Sequence, residues 1–397
     1  MTHKTGIPQK IRVSRFLAAV ILCMFAASCQ SSARRPESNA LLASNDPDIV
    51  LRGKIAQMLL VGFRGTSLEG NPLYEDIAHR GIGGVVLFDY DMPTRSFPRN
   101  IDGKAGKEQL AGLCADIQNA SGGVKLFIAI DQEGGRVNRL RSFPAFAKSE
   151  TARDLAAAGT QSYKTTAEET ARFLAELGVN LNFAPCVDLD INPANPIIGA
   201  YGRSISADSE TVTRFAKIWI DAHAKYGVLS CPKHFPGHGS SRGDTHRGTV
   251  DVSETWTEEE LVPYRNLVDW GQSAGKLPFI MTSHVFNKTV DPEYPATLSK
   301  PALLGILRER LNFTGLIISD DLEMAAIGSR YDLKTTLETA INAGVDILAF
   351  SNNGAVFNPS LSKDVIDTVF DLVKTGRVSS ARIEESFLRI MKVKRTL

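Results

Sequence analysis

Residues 208–231, DSETVTRFAKIWIDAHAKYGVLSC, contain the pattern that decides the fold. Apolar residues at helical spacing predict a helix over 208–226, and the apolar run Val228–Cys231 predicts a short strand directly after it. Gly227 separates the two, where a glycine commonly ends a helix before a strand. The alternation of helix and strand predicts a parallel sheet. The same glycine position recurs at Gly178 and Gly344.

Seven further runs of this kind bring the number of predicted strands to eight. The eight predicted strands are Met58–Phe63, Gly84–Phe88, Leu126–Ile130, Leu181–Ala184, Val228–Cys231, Phe279–Thr282, Leu316–Ser319 and Ile347–Phe350. Helical periodicity is clearest at 163–178, 208–226, 257–273, 299–311, 334–344, 363–375 and 380–394. Eight strand–helix units from about residue 49 to the end favour a single α/β domain, a (β/α)8 barrel of TIM type, over an open doubly wound sheet.

Composition excludes several classes of protein. The chain has 397 residues, 43% hydrophobic and 22% charged, and its 45 basic side chains nearly balance 44 acidic ones. A nucleic-acid-binding protein would carry a basic surplus, so we expect no nucleic-acid partner. The 32 glycines and 18 prolines are close to average usage and form no repeat, which excludes fibrous and disordered classes.

The first 28 residues have the composition of an export signal. Basic residues without any acid come first, an apolar run over 16–27 follows, and small residues come next. The apolar run is too short for a comfortable membrane span. We therefore predict a signal peptide over 1–28.

Ala26-Ala27-Ser28-Cys29 resembles a bacterial lipoprotein processing site, in which cleavage precedes the cysteine and Cys29 receives lipid. The alternatives are an unmodified signal with an incidental cysteine, and an uncleaved anchor. Residues 29–48 are largely polar and predict a tether. We expect an exported protein on the periplasmic side of a bacterial membrane. Gln30 does not resemble an inner-membrane retention signal and favours the outer membrane.

The cysteines of the body are too few and too scattered for a disulfide framework or a zinc pattern. They are Cys114, Cys186 and Cys231. A bridge between Cys186 and Cys231 stays open at this point.

Polar side chains follow the ends of several predicted strands. In a barrel, the loops at the carboxyl ends of the strands converge on one pocket, where catalytic groups collect. A helix cap or a loop charge would explain any one of these residues, but not all six together. The six are Asp131, Asp188, Lys233, His234, His284 and Asp320.

The loop KHFPGHG at 233–239, followed by DTH at 244–246, is the most informative stretch. Four glycines between 237 and 248 predict a mobile loop. One interpretation is a metal site of His234, His238, Asp244 and His246. A glycine-rich loop is a poor scaffold for the rigid geometry of metal ligands, so we predict no metal.

The second interpretation of this loop is acid/base chemistry. Asp244 would bond one ring nitrogen of His246 and fix its tautomer, which leaves the other nitrogen to exchange a proton with a substrate.

Two further stretches carry candidate residues. Asp320 ends the seventh strand, where an ionised carboxylate could attack an anomeric carbon. Its neighbour Asp321 also fits the simpler role of a helix N-cap. After the third strand, Asp131 and Arg139 offer an acceptor and a fork of donors suited to sugar hydroxyls.

The three motifs together resemble the β-N-acetylhexosaminidases of glycoside hydrolase family 3. They are KHFPGHG…DTH at 233–246, DQEGGRV at 131–137 and SDDLEM at 319–324, and the resemblance covers the chain from about residue 50 to the end. It implies a retaining β-N-acetylglucosaminidase without a cofactor, acting on peptidoglycan- or chitin-type oligosaccharides.

The resemblance also implies a role for each site residue. Asp320 would be the nucleophile, and His246 the general acid/base with Asp244 as its partner. The terminal sugar would be bound by Asp131, Arg139, Arg203, Lys233 and His234. Two alternatives stay open: a phosphorylase that uses the same site, and a lipoprotein that binds glycan without cleaving it. The oligomeric state is not predicted.

Overall fold

The computed structural model describes residues 1–3, 38–272 and 274–397. The chain divides into two compact units, Met1–Arg35 and Pro36–Leu397. The predicted signal peptide, apart from its first three residues, and the predicted lipid site Cys29 lie outside the described residues. Within the range expected as a tether, Ser38–Leu42 form a helix. The fold described below is that of the second unit.

The structure confirms all eight predicted strands, each of them one or two residues shorter than predicted. They are β1 Leu59–Gly62, β2 Gly84–Leu87, β3 Phe127–Ile130, β4 Leu181–Asn182, β5 Leu229–Ser230, β6 Phe279–Met281, β7 Leu316–Ile318 and β8 Leu348–Phe350. Nearly every residue in them is buried, as expected for parallel strands covered on both faces.

Backbone pairing joins these strands in a ring. The strands β8-β1-β2-β3-β4-β5 form one parallel sheet, and β6 and β7 form a parallel pair. A parallel bridge between Ile318 and Ile347 links β7 to β8, and one between Phe235 and Thr282 links the segments after β5 and β6. Neighbours in the ring follow chain order, which is the arrangement of a (β/α)8 barrel. The predicted fold class is therefore confirmed.

Helices lie before the first strand, between later strands and after the last one. They are α1 Ser38–Leu42, α2 Pro47–Gln57, α3 Lys107–Ala120, α4 Ala152–Ala157, α5 Thr160–Glu176, α6 Ser209–Lys225, α7 Val262–Gly271, α8 Ala325–Gly328, α9 Leu333–Ala343, α10 Leu361–Lys374 and α11 Ser380–Lys394. After the single turn Leu73–Glu75, Asp76–Arg80 have π-helical geometry, and so do Pro301–Arg310. In the described parts of the chain, no helix is long and apolar enough to cross a membrane.

The helix ends follow the sequence signals. Asp208 caps α6 by accepting the backbone N–H of Thr211. Gly344, at φ +113°, ends α9 two residues before the chain turns toward β8. A left-handed conformation of this kind costs a glycine little and most other residues more.

The three cysteines of the body are buried and free, so the bridge left open between Cys186 and Cys231 is not formed.

One buried ion cluster fastens the outer helices to the amino ends of the strands. Asp346, just before β8, accepts bonds from Arg308 at 2.6 Å, Arg382 at 3.0 Å and Arg389 at 3.2 Å. Its carboxylate also accepts the hydroxyl of Ser386 at 2.8 Å. Because this cluster lies at the end of the barrel opposite the loops that follow the strands, it serves stability rather than chemistry.

Candidate active site

All eight residues predicted for the site lie on loops that follow the carboxyl ends of barrel strands. Asp131 and Arg139 follow β3, Arg203 follows β4, Lys233, His234, Asp244 and His246 follow β5, and Asp320 follows β7. Their contacts divide them into a buried cluster around Lys233, a pair formed by Asp244 and His246, and the carboxylate of Asp320.

The buried cluster is held together by opposite charges. Lys233 Nζ donates to Asp131 Oδ1 at 2.5 Å and to Glu133 Oε1 at 2.7 Å. Arg203 grips the same Glu133 with two bonds, at 2.8 and 2.9 Å. Burial alone would lower the pKa of Lys233, but the two carboxylates raise it above its ordinary value. The ammonium therefore stays charged although its side chain is only 3% exposed.

Glu133 was not among the residues predicted for the site. It lies two residues after Asp131, within the quoted motif. Alternate residues of an extended segment point to the same side, and Gln132–Gly134 are extended. That spacing was the available signal. Burial would raise the pKa of Glu133, but Arg203 and Lys233 hold it far below its ordinary value, so the carboxylate stays ionised.

Asp131 and Arg139 are the more open members of this group. Their side chains are 21% and 24% exposed, and Arg139 Nη2 lies 3.9 Å from Asp131 Oδ2. The guanidinium carbon of Arg139 lies 5.5 Å from the centroid of the Phe88 ring. A polar ligand can therefore reach a carboxylate and a guanidinium that are already held side by side.

His234 is oriented from both ring nitrogens. Nδ1 lies 2.6 Å from Asp188 Oδ2, and Nε2 lies 3.1 Å from Arg203 Nη2. Since a guanidinium can only donate, Nε2 is the acceptor and the proton lies on Nδ1. Asp188 Oδ1 also accepts the backbone N–H of His238 at 2.8 Å. Burial would raise the pKa of Asp188, but these histidine contacts keep it far below its ordinary value.

These bonds also test whether the residues fit a metal ion. In the described residues, Cys186, Asp188 and His234 place their ligand atoms within 4.8 Å of one another. A metal ligand must be deprotonated, whereas the Cys186 thiol donates to Asp188 Oδ2 at 3.2 Å. The Nδ1 proton of His234 is already used on Asp188. The donor chemistry of this group therefore does not fit a metal.

The loop after β5 has two parts with different character. We call residues 237–241 the root and residues 242–249 the flap. Every residue of the root is buried, whereas half of the flap, including His246, is exposed. In the root, the backbones of Gly237 and Gly239 are packed tightly against neighbouring residues, so we expect the mobility predicted for the whole loop to be confined to the flap.

The flap carries the second group, the pair of Asp244 and His246. Asp244 Oδ1 accepts the backbone N–H of His246 at 2.9 Å and lies 2.8 Å from its Nδ1. Partial burial would raise the pKa of Asp244, but these bonds lower it below its ordinary value. A carboxylate on Nδ1 fixes the ring orientation and leaves Nε2 for proton exchange. The His246 side chain is 58% exposed, so a ligand can reach it.

Asp320 forms the third group. Its Oδ1 accepts the backbone N–H of Asp321 at 2.8 Å. Burial would raise the pKa of Asp320, but the nearby imidazoles of His284, His234 and His246 lower it below its ordinary value. An ionised carboxylate beside proton-exchanging imidazole is an arrangement suited to nucleophilic catalysis.

The flap is fastened to the segment that follows Asp320. Ala326 N donates to the carbonyl oxygen of Thr245 at 3.2 Å, and Arg330 Nη1 donates to Thr249 Oγ1 at 3.2 Å. The loops after β5 and β7 are therefore in contact at the carboxyl end of the barrel.

Comparison with known proteins identifies the family. The family model for the glycosyl hydrolase family 3 N-terminal domain matches residues 50–393. The chain belongs to glycoside hydrolase family 3. It is 35% identical over 305 residues to a beta-hexosaminidase of Tolumonas auensis, which covers 75% of this chain and 83% of that one. It is 30% identical over 353 residues to the beta-hexosaminidase LpqI of Mycobacterium tuberculosis, which covers 86% and 82% of the two chains.

Solved structures of the family give the same result. A family 3 beta-N-acetylglucosaminidase from Paenibacillus sp. superposes with a TM-score of 0.76 at 31% identity, over 87% of this chain and 62% of that one. M. tuberculosis LpqI superposes with a TM-score of 0.73 at 29% identity, over 90% and 96% of the two chains. This protein is a glycoside hydrolase, and its relatives support a beta-hexosaminidase activity.

Proposed function

We propose that this protein is a retaining exo-β-N-acetylglucosaminidase that hydrolyses terminal β-linked N-acetylglucosamine. The observation that carries the proposal is the meeting of two loops at the mouth of the barrel. One brings an ionised carboxylate, Asp320, and the other brings the Asp244–His246 pair, and the bond from Ala326 N to the carbonyl oxygen of Thr245 joins the two loops. A nucleophile and a proton donor are the two groups that a retaining glycosidase needs.

In the first step, an Asp320 carboxylate oxygen attacks the anomeric carbon and forms a covalent ester with the sugar. The bond from that carbon to the leaving oxygen breaks, and the proton on His246 Nε2 moves to the leaving oxygen. In the second step, neutral His246 takes a proton from water. The water oxygen bonds to the anomeric carbon, and Asp320 leaves as a carboxylate. Two displacements at one carbon retain its configuration.

The buried cluster would bind the terminal sugar. Asp131 and Arg139 are open enough for direct contact with hydroxyl groups, and Lys233 supplies a fixed positive charge. His234 completes the binding set. The nitrogens of Arg203 are already bonded to Glu133, His234 and the carbonyl of Ile197. Arg203 therefore contributes to sugar binding by holding Glu133 and His234 in place.

The natural substrate and location rest on the sequence. The predicted signal peptide and Cys29 support a lipoprotein on the periplasmic side of a bacterial membrane, where peptidoglycan fragments, or chitin-type fragments from outside, are the accessible polymers. Changing Cys29→Ala in the full chain should move the protein from the membrane fraction to the soluble fraction. An unchanged distribution would show that Cys29 does not anchor it.

Product analysis by NMR tests the activity. Incubation of the protein with N,N′-diacetylchitobiose should release N-acetylglucosamine whose first-formed anomer is β, and added phosphate should change neither product nor rate. Formation of a sugar 1-phosphate would establish the phosphorylase alternative. Tight binding of the disaccharide without any cleavage would establish the glycan-binding alternative.

A further inference from the structure

A buried carboxyl group bonds to the root of the loop after β5 from one side. Glu260, on the short helical segment Glu258–Leu261 before α7, is 1% exposed. Its Oε2 accepts the backbone N–H of Gly239 at 2.9 Å and approaches that of Ser240 at 3.4 Å. A buried N–H without an acceptor is costly, so this carboxyl group satisfies donors that the root cannot satisfy alone.

The other side of the root is gripped by a buried amide. Asn195, on the loop after β4, is fully buried. Its Nδ2 donates to the carbonyl oxygens of His238 at 2.8 Å and Gly239 at 3.2 Å, and to Ser241 Oγ at 3.0 Å. Its Oδ1 accepts the backbone N–H groups of Ile197 and Ile198, which fixes the orientation of the amide.

The root is also tightly packed at its glycines. A Cβ added to Gly239 would lie 1.8 Å from the carbonyl oxygen of Leu189, and one added to Gly237 would lie 2.5 Å from the Cβ of Glu260. The flap is different, because half of its residues are exposed to solvent. The position of His246 is therefore set by the root at one end of the flap and by the backbone bond between Thr245 and Ala326 in the middle of the flap.

We propose that Asn195 and Glu260 are positioning residues for proton donation: they fix the root so that the flap presents His246 to the leaving oxygen above Asp320. The inference rests on the proposed function, since it assigns His246 the role of proton donor. Neither residue is placed in contact with the substrate. Loss of either should misplace the imidazole, and a shift of about 1 Å in a catalytic group can cost on the order of 100-fold in rate.

The test compares two kinds of substrate. Cleavage of a disaccharide needs a proton on its poor leaving group, whereas an aryl glycoside with an activated leaving group does not. The comparison uses kcat/KM, which reports the first step, because His246 also acts in the second step on both substrates. In Asn195→Ala and Glu260→Leu, we expect kcat/KM on N,N′-diacetylchitobiose to fall by roughly 10- to 100-fold, and kcat/KM on an activated aryl N-acetylglucosaminide to fall by less than about threefold.

Two matched variants act as controls. Glu260→Gln keeps an oxygen acceptor for the root and should recover most of the kcat/KM on the disaccharide that Glu260→Leu loses. Glu259→Leu changes the exposed neighbour of Glu260 and should leave both substrates unaffected. If Glu260→Leu does not fold, Asn195→Ala alone decides the question. Equal losses on the two substrates, or no loss, would overturn the inference.

The outcome separates this inference from the proposed function. A wild-type protein that cleaves neither substrate refutes the proposed function. If the wild-type protein cleaves both substrates and the variants show the same ratio of activities on the two substrates as the wild type, only the positioning role is refuted.

Discussion

Ala326 donates its backbone N–H to the carbonyl oxygen of Thr245 at 3.2 Å, and this bond joins two loops that are 81 residues apart in sequence. Thr245 immediately precedes His246, and Ala326 follows Asp320 by six residues. The proposed proton donor and the proposed nucleophile are therefore linked through main chain rather than through a side chain. A change of side chain at Thr245 or Ala326 leaves these backbone atoms able to bond, whereas a shift of either loop would separate them.

The carboxylate of Asp320 should be indispensable for turnover. We expect Asp320→Asn to lower kcat by about 10⁴-fold, equivalent to roughly 5.5 kcal/mol of transition-state stabilisation, because no covalent intermediate can form. Steady-state kinetics on an activated aryl N-acetylglucosaminide checks this. In the control Asp321→Asn, the altered group keeps an oxygen acceptor for the backbone N–H groups of Ser351 and Glu323, so activity should stay close to that of the wild type. Near-normal turnover by Asp320→Asn would disprove the nucleophile assignment.

Removal of the imidazole should have an effect that depends on the leaving group. We expect His246→Ala to lower kcat at least about 100-fold on N,N′-diacetylchitobiose and much less in the first step on an activated aryl substrate. Asp244→Ala should act in the same direction, because Nδ1 loses the carboxylate that fixes the ring. Rates measured across aryl leaving groups of graded acidity check this. Equal losses across the series would mean that His246 is structural.

The fold was predictable because its signals are local. Each of the eight strands is a short apolar run, and glycines such as Gly227 and Gly344 separate helix from strand. The helices α2 and α3 and the segment at 73–80 were not predicted. In α2, buried and exposed residues give almost no amphipathic pattern, and Asp76–Arg80 have π-helical geometry, which a 3.6-residue period does not describe.

The site residues that could be predicted are those in sequence motifs that directly follow a predicted strand. Asp131, Lys233 and Asp320 lie where the barrel geometry requires. Asn195 and Glu260 were missed for a physical reason: they act on backbone groups that are distant in sequence, and neither has a spacing that indicates its partner. The division of the glycine-rich loop into a rigid root and an open flap also depends on tertiary packing rather than on glycine content.

The ion cluster around Asp346 should be a major source of stability. Asp346→Asn would leave three partly or fully buried arginines without their shared carboxylate. Breaking a buried ion pair typically costs about 3–5 kcal/mol, and we expect a loss of that order in urea denaturation. Asp367→Asn is the control, because its pairs with Arg52 and Lys363 are exposed and should contribute less than about 1 kcal/mol. Equal effects of the two substitutions would contradict this interpretation.

The buried amine of Lys394 should make stability depend on pH. Lys394 on α11 is 3% exposed, and its Nζ donates to Gln57 Oε1 and to the carbonyl oxygen of Gly83, both at 2.7 Å. Burial lowers the pKa of Lys394 to about 7, from an ordinary value of 10.5. Between these two pH values, the folded chain binds fewer protons at this site than the unfolded chain does. The free energy of unfolding should therefore rise with pH across this window, by up to about 1.4 kcal/mol per pH unit from this group.

Substitution isolates this contribution. Lys394→Met removes the titrating group, so the difference in unfolding free energy between wild type and variant should change steadily from pH 7 to pH 9 in favour of wild type. The exposed neighbour provides the control, since Lys392→Met should give a curve parallel to wild type. Urea denaturation at half-unit pH intervals measures all three proteins. If the curve of Lys394→Met is also parallel to wild type, the amine keeps its ordinary pKa in the folded chain, and the carbonyl and amide oxygens around it stabilise the charge as well as water does.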